Sequence, residues 1–120
     1  MESRKMTGRW GELAAAEYLK DKGWRIVAMN YACRFGEIDV IAENQEYLSF
    51  VEVKLRKDAS HGEAREFVTP AKQRRIIMAA GKWLMEHPTG KQPRFDVIEI
   101  YGARGRLEYL NHIENAFDTT

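Results

Sequence analysis

Two apolar segments of this chain each carry an acidic residue where a buried strand normally has none. Residues 36–42 contain Asp39, and residues 47–54 contain Glu52. The polar stretch between them favours a hairpin turn. Side chains alternate along a strand, so pairing residue 47 with either residue 42 or residue 44 brings Asp39 and Glu52 to one face of the hairpin. Any fold of this chain must therefore accommodate two neighbouring carboxylates in apolar surroundings.

Lys54 follows Glu52 by two residues and shares its face. Such a charged tripeptide is usually ordinary strand surface, but here Val-rich and Ile-rich flanks predict a central hairpin, where charge is costly unless it is offset. Mg²⁺ prefers oxygen ligands and needs only one or two carboxylates besides a phosphate oxygen. The pattern therefore predicts a Mg²⁺ or Mn²⁺ site on Asp39, Glu52 and the backbone carbonyl of Val53. Lys54 is placed to orient an attacking water or to balance charge on a phosphorus.

The remaining elements are predicted from caps and periodicity. Thr7 is expected to cap a first helix that stops at Gly23. Thr69 and Pro70 indicate the start of a second helix that ends near Glu86. Strands are predicted at residues 24–29, 37–42, 47–55, 94–101 and 106–113. The chain of 120 residues is thus expected to form one α/β domain of order α-β-β-β-α-β-β, a mixed sheet flanked by helices.

Each predicted helix carries one polar residue aligned with its apolar stripe. Glu12 heads the stripe of the first helix, and Gln73 lies one turn ahead of the stripe of the second helix. Glu12 is predicted to support the acidic site or to bind a second metal ion. Gln73 is predicted to hold a water or a phosphate there.

Charge is unevenly distributed although the net charge is only +1. Residues 54–75 carry seven Lys/Arg and three acidic residues, which predicts a surface that contacts nucleic-acid phosphates. The candidate contacts are Arg34, Arg56, Lys57, Lys72, Arg74 and Arg75. Cys33, the single cysteine, excludes an internal disulfide. Because no signal peptide or membrane span is recognisable, a cytoplasmic location without membrane contact is expected.

Four ordered motifs give the chain a specific resemblance. These are GEID at 36–39, FVEVK at 50–54, VTP at 68–70 and KQRR at 72–75. Together they resemble the YraN-like bacterial family, an uncharacterised family assigned to the PD-(D/E)XK nuclease superfamily and similar to archaeal Holliday-junction resolvases. The resemblance covers nearly the whole chain. It departs from the superfamily at Ile38, where a proline is nominal, and from the family at Leu55, where a small polar residue is common.

The resemblance implies a restriction-endonuclease-like sandwich and assigns roles to individual residues. Asp39 and Glu52 take the places of the metal ligands, Lys54 that of the catalytic lysine, and Glu12 and Gln73 those of helix-borne accessories. By analogy with resolvases, a homodimer is implied as well.

Two functions follow from these observations. The first is a Mg²⁺-dependent or Mn²⁺-dependent endonuclease that acts on DNA, in particular on branched or junction DNA. The second is a non-catalytic nucleic-acid-binding or assembly protein that retains the nuclease fold. Three charges kept together in a core favour the first. The three histidines, His61, His87 and His112, show no ligand spacing and are interpreted as solvent-facing or cap residues.

Overall fold

The computed structural model describes residues 4–56, 68–103 and 105–118, with side chains from residue 9 onward. Within these residues, two helices and five strands follow one another in the predicted order α-β-β-β-α-β-β. Their bounds are α1 Arg4–Asp21, β1 Arg25–Cys33, β2 Gly36–Glu43, β3 Tyr47–Arg56, α2 Pro70–Glu86, β4 Gln92–Ala103 and β5 Arg106–Phe117.

The strands form one mixed sheet in the order β1-β2-β3-β4-β5. All neighbouring strands are antiparallel except β3 and β4, which are parallel. A parallel pair needs a crossover connection, and α2 provides it. The predicted mixed sheet with helices is therefore confirmed at the level of an α/β architecture.

The hairpin of β2 and β3 adopts the tighter of the two predicted registers. Glu43 pairs with Leu48 and Val40 with Val51, which sets residue 44 opposite residue 47. The Asn44 N–H donates to the Tyr47 carbonyl over 3.0 Å, and the Asn44 side-chain oxygen accepts from the Tyr47 N–H over 2.7 Å. Continued by one residue, this register sets position 39 opposite position 52.

The two helices cover opposite faces of the sheet. On one face, Leu19 of α1 packs in a cluster with Val40 of β2 and Val51 of β3, all fully buried. On the other face, Trp83 of α2 belongs to a second cluster that includes Phe50 of β3. Burying both faces explains why β2 and β3 read as nearly continuous apolar runs. The charged residues of these strands can therefore reach solvent only where the helix cover ends.

Helix ends and strand lengths differ from the prediction at several places. The α1 helix begins at Arg4, so Thr7 lies inside it and the predicted cap there is wrong. It ends before Gly23, whose φ of +93° suits a left-handed terminator. The predicted start of α2 is confirmed, because the Thr69 side chain accepts from the Lys72 N–H over 3.2 Å. Several strands extend beyond their predicted ends because backbone pairing continues past the apolar pattern. Among the described helices, none has the length and apolar character needed to cross a membrane.

Candidate functional site

A cleft of about 580 Å³ opens where β2 and β3 separate, between α1 and the first turns of α2. It contains five of the residues that the sequence analysis selected as catalytic or metal-binding, together with two of the basic residues. The lining residues are Glu12, Gly36, Glu37, Asp39, Glu52, Val53, Lys54, Leu55, Lys72, Arg75 and Ile76. The structure thus brings Asp39, Glu52 and Lys54 together, although they belong to two strands.

The Asp39 carboxylate lies where the ladder between β2 and β3 stops. The last backbone pair is Val40 with Val51. Beyond it, Asp39 Oδ2 accepts from the backbone N–H of Val53 over 2.8 Å, so a side chain takes the place of a ladder hydrogen bond. The N–H and C=O of one strand residue point to the same side. The carbonyl of Val53 therefore lies on the edge that carries Asp39, where it could serve as an additional oxygen ligand.

Strands β1 and β2 both depart from regular strand conformation at the level of Asp39. Met29 pairs with Val40 and Tyr31 with Ile38, which sets Asn30 opposite Asp39. Asn30 has a φ of 55°, a left-handed conformation that is uncommon outside glycine and enriched in Asn. Side-chain alternation breaks at the same level, because Ile38 packs with the α2 cluster and Val40 with the α1 cluster. Asp39 is therefore accessible to groups from both helices.

The environment of Asp39 disfavours its ionised form. Burial raises the pKa of Asp39 to about 8, and the nearby charges of Glu52 and Glu12 act in the same direction. The hydrogen bond from Val53 opposes this shift without cancelling it. A carboxyl group in this state gains more from a nearby cation than an exposed one does.

Glu52 is 5% exposed and is the centre of the charged cluster. Its Oε1 lies 2.6 Å from Lys72 Nζ and 3.5 Å from Lys54 Nζ. Burial and the adjacent Lys72 ammonium lower the pKa of Lys54. Burial also lowers the pKa of Lys72, but the hydrogen bond and charge of Glu52 outweigh it, so the net pKa of Lys72 is raised. Both ammonium groups thus converge on a single carboxylate oxygen.

Glu12 reaches the cleft from α1. Burial raises its pKa, the charge of Glu37 adds to the effect, and a hydrogen bond from the Asn30 side chain opposes it. Asn30 therefore both shapes the strand beside Asp39 and orients Glu12. Sequence reasoning missed Asn30, since a left-handed residue inside a strand has no local sequence pattern. It also missed Glu37, although Glu37 lies two residues before Asp39 on the same strand.

The donor set of the cleft suits a hard divalent cation. Carboxylate oxygens of Asp39 and Glu52, with the Val53 carbonyl, are oxygen ligands of the kind Mg²⁺ takes. Within residues 4–56, 68–103 and 105–118, no three acidic, histidine or cysteine side chains already sit at metal-binding distances. A cation bound here would therefore keep several waters and use one or two carboxylates, as Mg²⁺ commonly does.

The basic residues divide into two groups. Lys72 and Arg75 line the cleft. Arg74 is exposed on α2, outside the cleft lining. Arg34 is exposed after the end of β1, with its guanidinium 4.7 Å from the Phe35 ring centroid. Lys57, like His61, lies outside the described residues.

Arg56 and Gln73 bond groups within the protein and not the phosphate or water that was predicted for them. Arg56 is buried, and its Nη1 donates to Glu99 Oε2 over 3.0 Å, so it does not face solvent as a phosphate contact. Gln73 Nε2 donates to the Val68 carbonyl over 2.9 Å and lies outside the cleft lining. Arg56 thus forms a buried ion pair with Glu99, and Gln73 binds the backbone just before α2.

The interpretation of His112 as a solvent or cap residue is wrong. Its side chain is 7% exposed and bonds Asp96 through Nε2 over 2.7 Å and Tyr18 through Nδ1 over 3.0 Å. Since an ionised carboxylate only accepts, Nε2 donates to Asp96, and Nδ1 and the Tyr18 hydroxyl form the second hydrogen bond. His87 matches its prediction, because it caps the end of α2 through the Trp83 carbonyl.

Comparison with known proteins finds many relatives that cover more than nine tenths of the chain. A family model described as "Uncharacterised protein family UPF0102" matches residues 11–100. A UPF0102 protein of Myxococcus xanthus is 44% identical over 116 residues, covering 96% of this chain and 91% of its own length. Other UPF0102 proteins occur in Pelotomaculum thermopropionicum, at 43% identity over 97% of this chain and 98% of the relative, and in Chlorobium phaeobacteroides, at 46% identity over 93% of this chain and 94% of the relative.

Proposed function

The chain belongs to the uncharacterised protein family UPF0102, a membership that names no reaction, and from the geometry of the cleft we propose that it is a metal-dependent endonuclease acting on DNA. The observation that carries the proposal is the convergence of Asp39, Glu52 and Lys54 in one cleft bordered by basic side chains. Branched or junction DNA is the proposed substrate class. Its basis is the resemblance to resolvases.

The fold proposal goes with the function. An α/β sandwich with a mixed sheet, an acidic hairpin at its centre and a helix on each face is consistent with the restriction-endonuclease-like architecture of the PD-(D/E)XK superfamily. The hairpin register sets Asp39 opposite Glu52. Lys54 lies two residues after Glu52 on the same strand, and side-chain alternation places both on one face.

Each side chain of the cleft has a role in this proposal. Asp39, Glu52 and the Val53 carbonyl would hold Mg²⁺ or Mn²⁺, which supplies Lewis-acid stabilisation of a phosphodiester undergoing hydrolysis. Lys54 is positioned to orient a water or to balance charge that develops on the phosphorus. Lys72 and Arg75 border the cleft where a DNA backbone would enter, and Arg74 extends this basic surface along α2. Glu12 and Asn30 help to fix the acidic wall of the cleft.

The proposal is tested by single-turnover cleavage of branched, flapped, single-stranded and linear DNA with Mg²⁺, with Mn²⁺ and with a chelator. We expect cleavage only with metal, and a Lys54→Ala rate lower by about 10²–10³-fold, the loss typical when one group that stabilises transition-state charge is removed. DNA affinity of this variant should stay close to that of wild type, because the interaction is made mainly in the transition state.

Lys82→Ala is the matched control. Like Lys72, Lys82 lies on α2, but it pairs with Glu86 and does not line the cleft. The Lys82→Ala variant should therefore cleave DNA at the wild-type rate. Tight DNA binding without cleavage of any substrate would favour the nucleic-acid-binding alternative. Equal cleavage by wild type and Lys54→Ala would attribute the activity to a contaminant and overturn the proposal.

A further inference from the structure

Lys72 occupies the position beside Glu52 that the proposed metal ion would need. Its Nζ lies 2.6 Å from Glu52 Oε1, closer than Lys54 Nζ at 3.5 Å from the same oxygen. A cation that coordinates this oxygen would meet two ammonium groups within a few ångströms. In a partly buried cleft such repulsion is stronger than in water. The ammonium groups therefore weaken metal coordination by Glu52, and withdrawal of one of them would strengthen it.

Lys72 is the lysine that can withdraw. It lies in the first turn of α2, where its N–H is held by Thr69 Oγ1. Its side chain reaches the cleft from the rim and is 36% exposed, whereas that of Glu52 is 6% exposed on β3. Lysine has a flexible four-carbon stem that can swing without movement of the backbone. Lys54, on the same strand as Glu52 and 23% exposed, has less freedom to leave.

A phosphate at the mouth of the cleft would offer Lys72 a new partner. Arg75 lines the same cleft one turn farther along α2. The N-terminal end of a helix also carries partial positive charge that favours an anion. A DNA phosphate held at this rim would compete with Glu52 for the Lys72 ammonium.

We propose that Lys72 is an exchangeable counterion that couples metal binding to DNA binding. In the free protein it neutralises Glu52. When a phosphate enters the cleft, Lys72 transfers to it and releases the carboxylate for the metal. This inference rests on the proposed function, since the metal and the phosphate are those of the nuclease. Thermodynamic linkage then requires DNA to raise metal affinity by the same factor by which metal raises DNA affinity.

Titration calorimetry with Mn²⁺ on the DNA-free protein tests the first half of the exchange. Lys72→Met keeps the length of the side chain and removes its charge. We expect it to bind Mn²⁺ about tenfold more tightly than wild type, a change of about 1.4 kcal/mol. Arg75→Met removes a charge from the same cleft lining without removing an ion pair to Glu52 seen among the described residues, and it should gain less than about threefold. Lys72→Arg, which keeps the charge, should behave like wild type.

DNA affinity measured in Ca²⁺ and in a chelator tests the second half, because Ca²⁺ takes the same kinds of oxygen ligand as Mg²⁺. Wild type should bind DNA about tenfold more tightly with Ca²⁺, and Lys72→Met should lose most of that difference. Absence of coupling in wild type would overturn the inference without recourse to any variant.

The outcomes separate this inference from the proposed function. If Mn²⁺ binding is absent, or if Asp39→Asn does not weaken it, the proposed metal site and the inference both fail. If Mn²⁺ binding depends on Asp39 but Lys72→Met and Arg75→Met bind the ion equally well, only the exchange by Lys72 is wrong.

Discussion

Asp39 and Asp96 lie in the same sheet, Asp39 half-buried and Asp96 fully buried, and their surroundings have opposite effects on their ionisation. Asp39 lies where the β2–β3 ladder stops, and Asp96 lies at a register shift between β4 and β5. Each has a left-handed asparagine on a neighbouring strand, Asn30 at φ 55° and Asn115 at φ 51°. Burial raises the pKa of Asp39 to about 8. Burial also acts to raise the pKa of Asp96, but its hydrogen bonds outweigh that effect and the pKa is lowered.

The difference lies in the number of donors that each carboxylate meets. Asp39 accepts one hydrogen bond in the described structure, from Val53, and faces other carboxylates. Asp96 accepts two from Arg94, one from His112 and one from the Asn115 N–H, over 2.7–3.0 Å. A carboxylate satisfied within the protein serves stability. One left short of donors at a cleft is available to an external cation.

Asp96, Arg94, His112 and Tyr18 form a hydrogen-bonded group, the Asp96 network, which connects layers of the fold. Arg94 lies over the rings of Trp24 and Tyr47, with its guanidinium carbon 5.0 and 4.7 Å from their centroids. His112 continues the network to Tyr18 on α1. This part of the molecule therefore ties α1, β4 and β5 together, whereas the cleft residues converge without comparable internal satisfaction.

The largest expected effect is on stability, from Asp96→Asn. Removal of one partner from a buried ion pair typically costs about 3–5 kcal/mol, and we expect a loss near 3 kcal/mol for this variant at pH 7. Asp39→Asn should cost nothing or stabilise the metal-free protein, since folded Asp39 must bind a proton at pH 7 and Asn is neutral without one. Urea unfolding of both variants beside wild type measures the two free energies of unfolding. Similar losses of unfolding free energy in both variants would show that Asp39 and Asp96 contribute to stability in the same way.

The pH dependence of stability should have opposite signs at the two sites. The folded state holds the Asp39 proton between its ordinary pKa of 3.8 and about 8, so metal-free stability falls as pH rises through this window. Asp96, with its lowered pKa, loses its contribution as pH falls below the ordinary range. Between pH 5 and pH 8, the free energy of unfolding of wild type should fall by about 3 kcal/mol more than that of Asp39→Asn. Urea unfolding in chelator across this range is the measurement, and parallel curves for the two proteins would contradict the assignment.

Metal should stabilise the folded protein through the cleft and not through the Asp96 network. A ligand at ten times its Kd that binds only the folded state adds about 1.4 kcal/mol, which corresponds to a melting-temperature rise of a few degrees for a domain of this size. Thermal melts with and without Mn²⁺ should show this rise in wild type and lose it in Asp39→Asn. The control is Tyr18→Phe, which leaves the cleft unchanged and should retain the full rise. An undiminished rise in Asp39→Asn would locate the ion elsewhere.

The smallest expected effect concerns the edge of the Asp96 network. Tyr18→Phe removes one hydrogen bond to His112 and keeps the ring, so it should cost about 1 kcal/mol with no change in metal response. Chemical unfolding measures the cost. A loss as large as that of Asp96→Asn would mean that Tyr18, and not the carboxylate, dominates the network.

Sequence reasoning recovered the elements where local physics decides. The second helix was placed from Thr69 and Pro70 because a cap and a fixed φ are local properties. The placement of Asp39 and Glu52 on one face followed from a short hairpin in either of the two predicted registers, and the structure shows which of the two forms. Long-range partners were not recoverable. Arg56 was expected to face phosphate and instead pairs with Glu99, and His112 was expected at the surface and instead lies between Tyr18 and Asp96.

By itself, the sequence determined that a β-hairpin would place two carboxylates and a lysine in apolar surroundings, because side-chain alternation and a four-residue connection leave few other arrangements. Only the tertiary structure decided which charges would meet them. Helix α2 returns over the sheet and places Lys72 on Glu52, and Asn30 of β1, in a left-handed conformation, hydrogen-bonds Glu12 of α1 beside Asp39. These contacts depend on where distant segments pack, and packing is set by the whole core and not by the residues that make the contact.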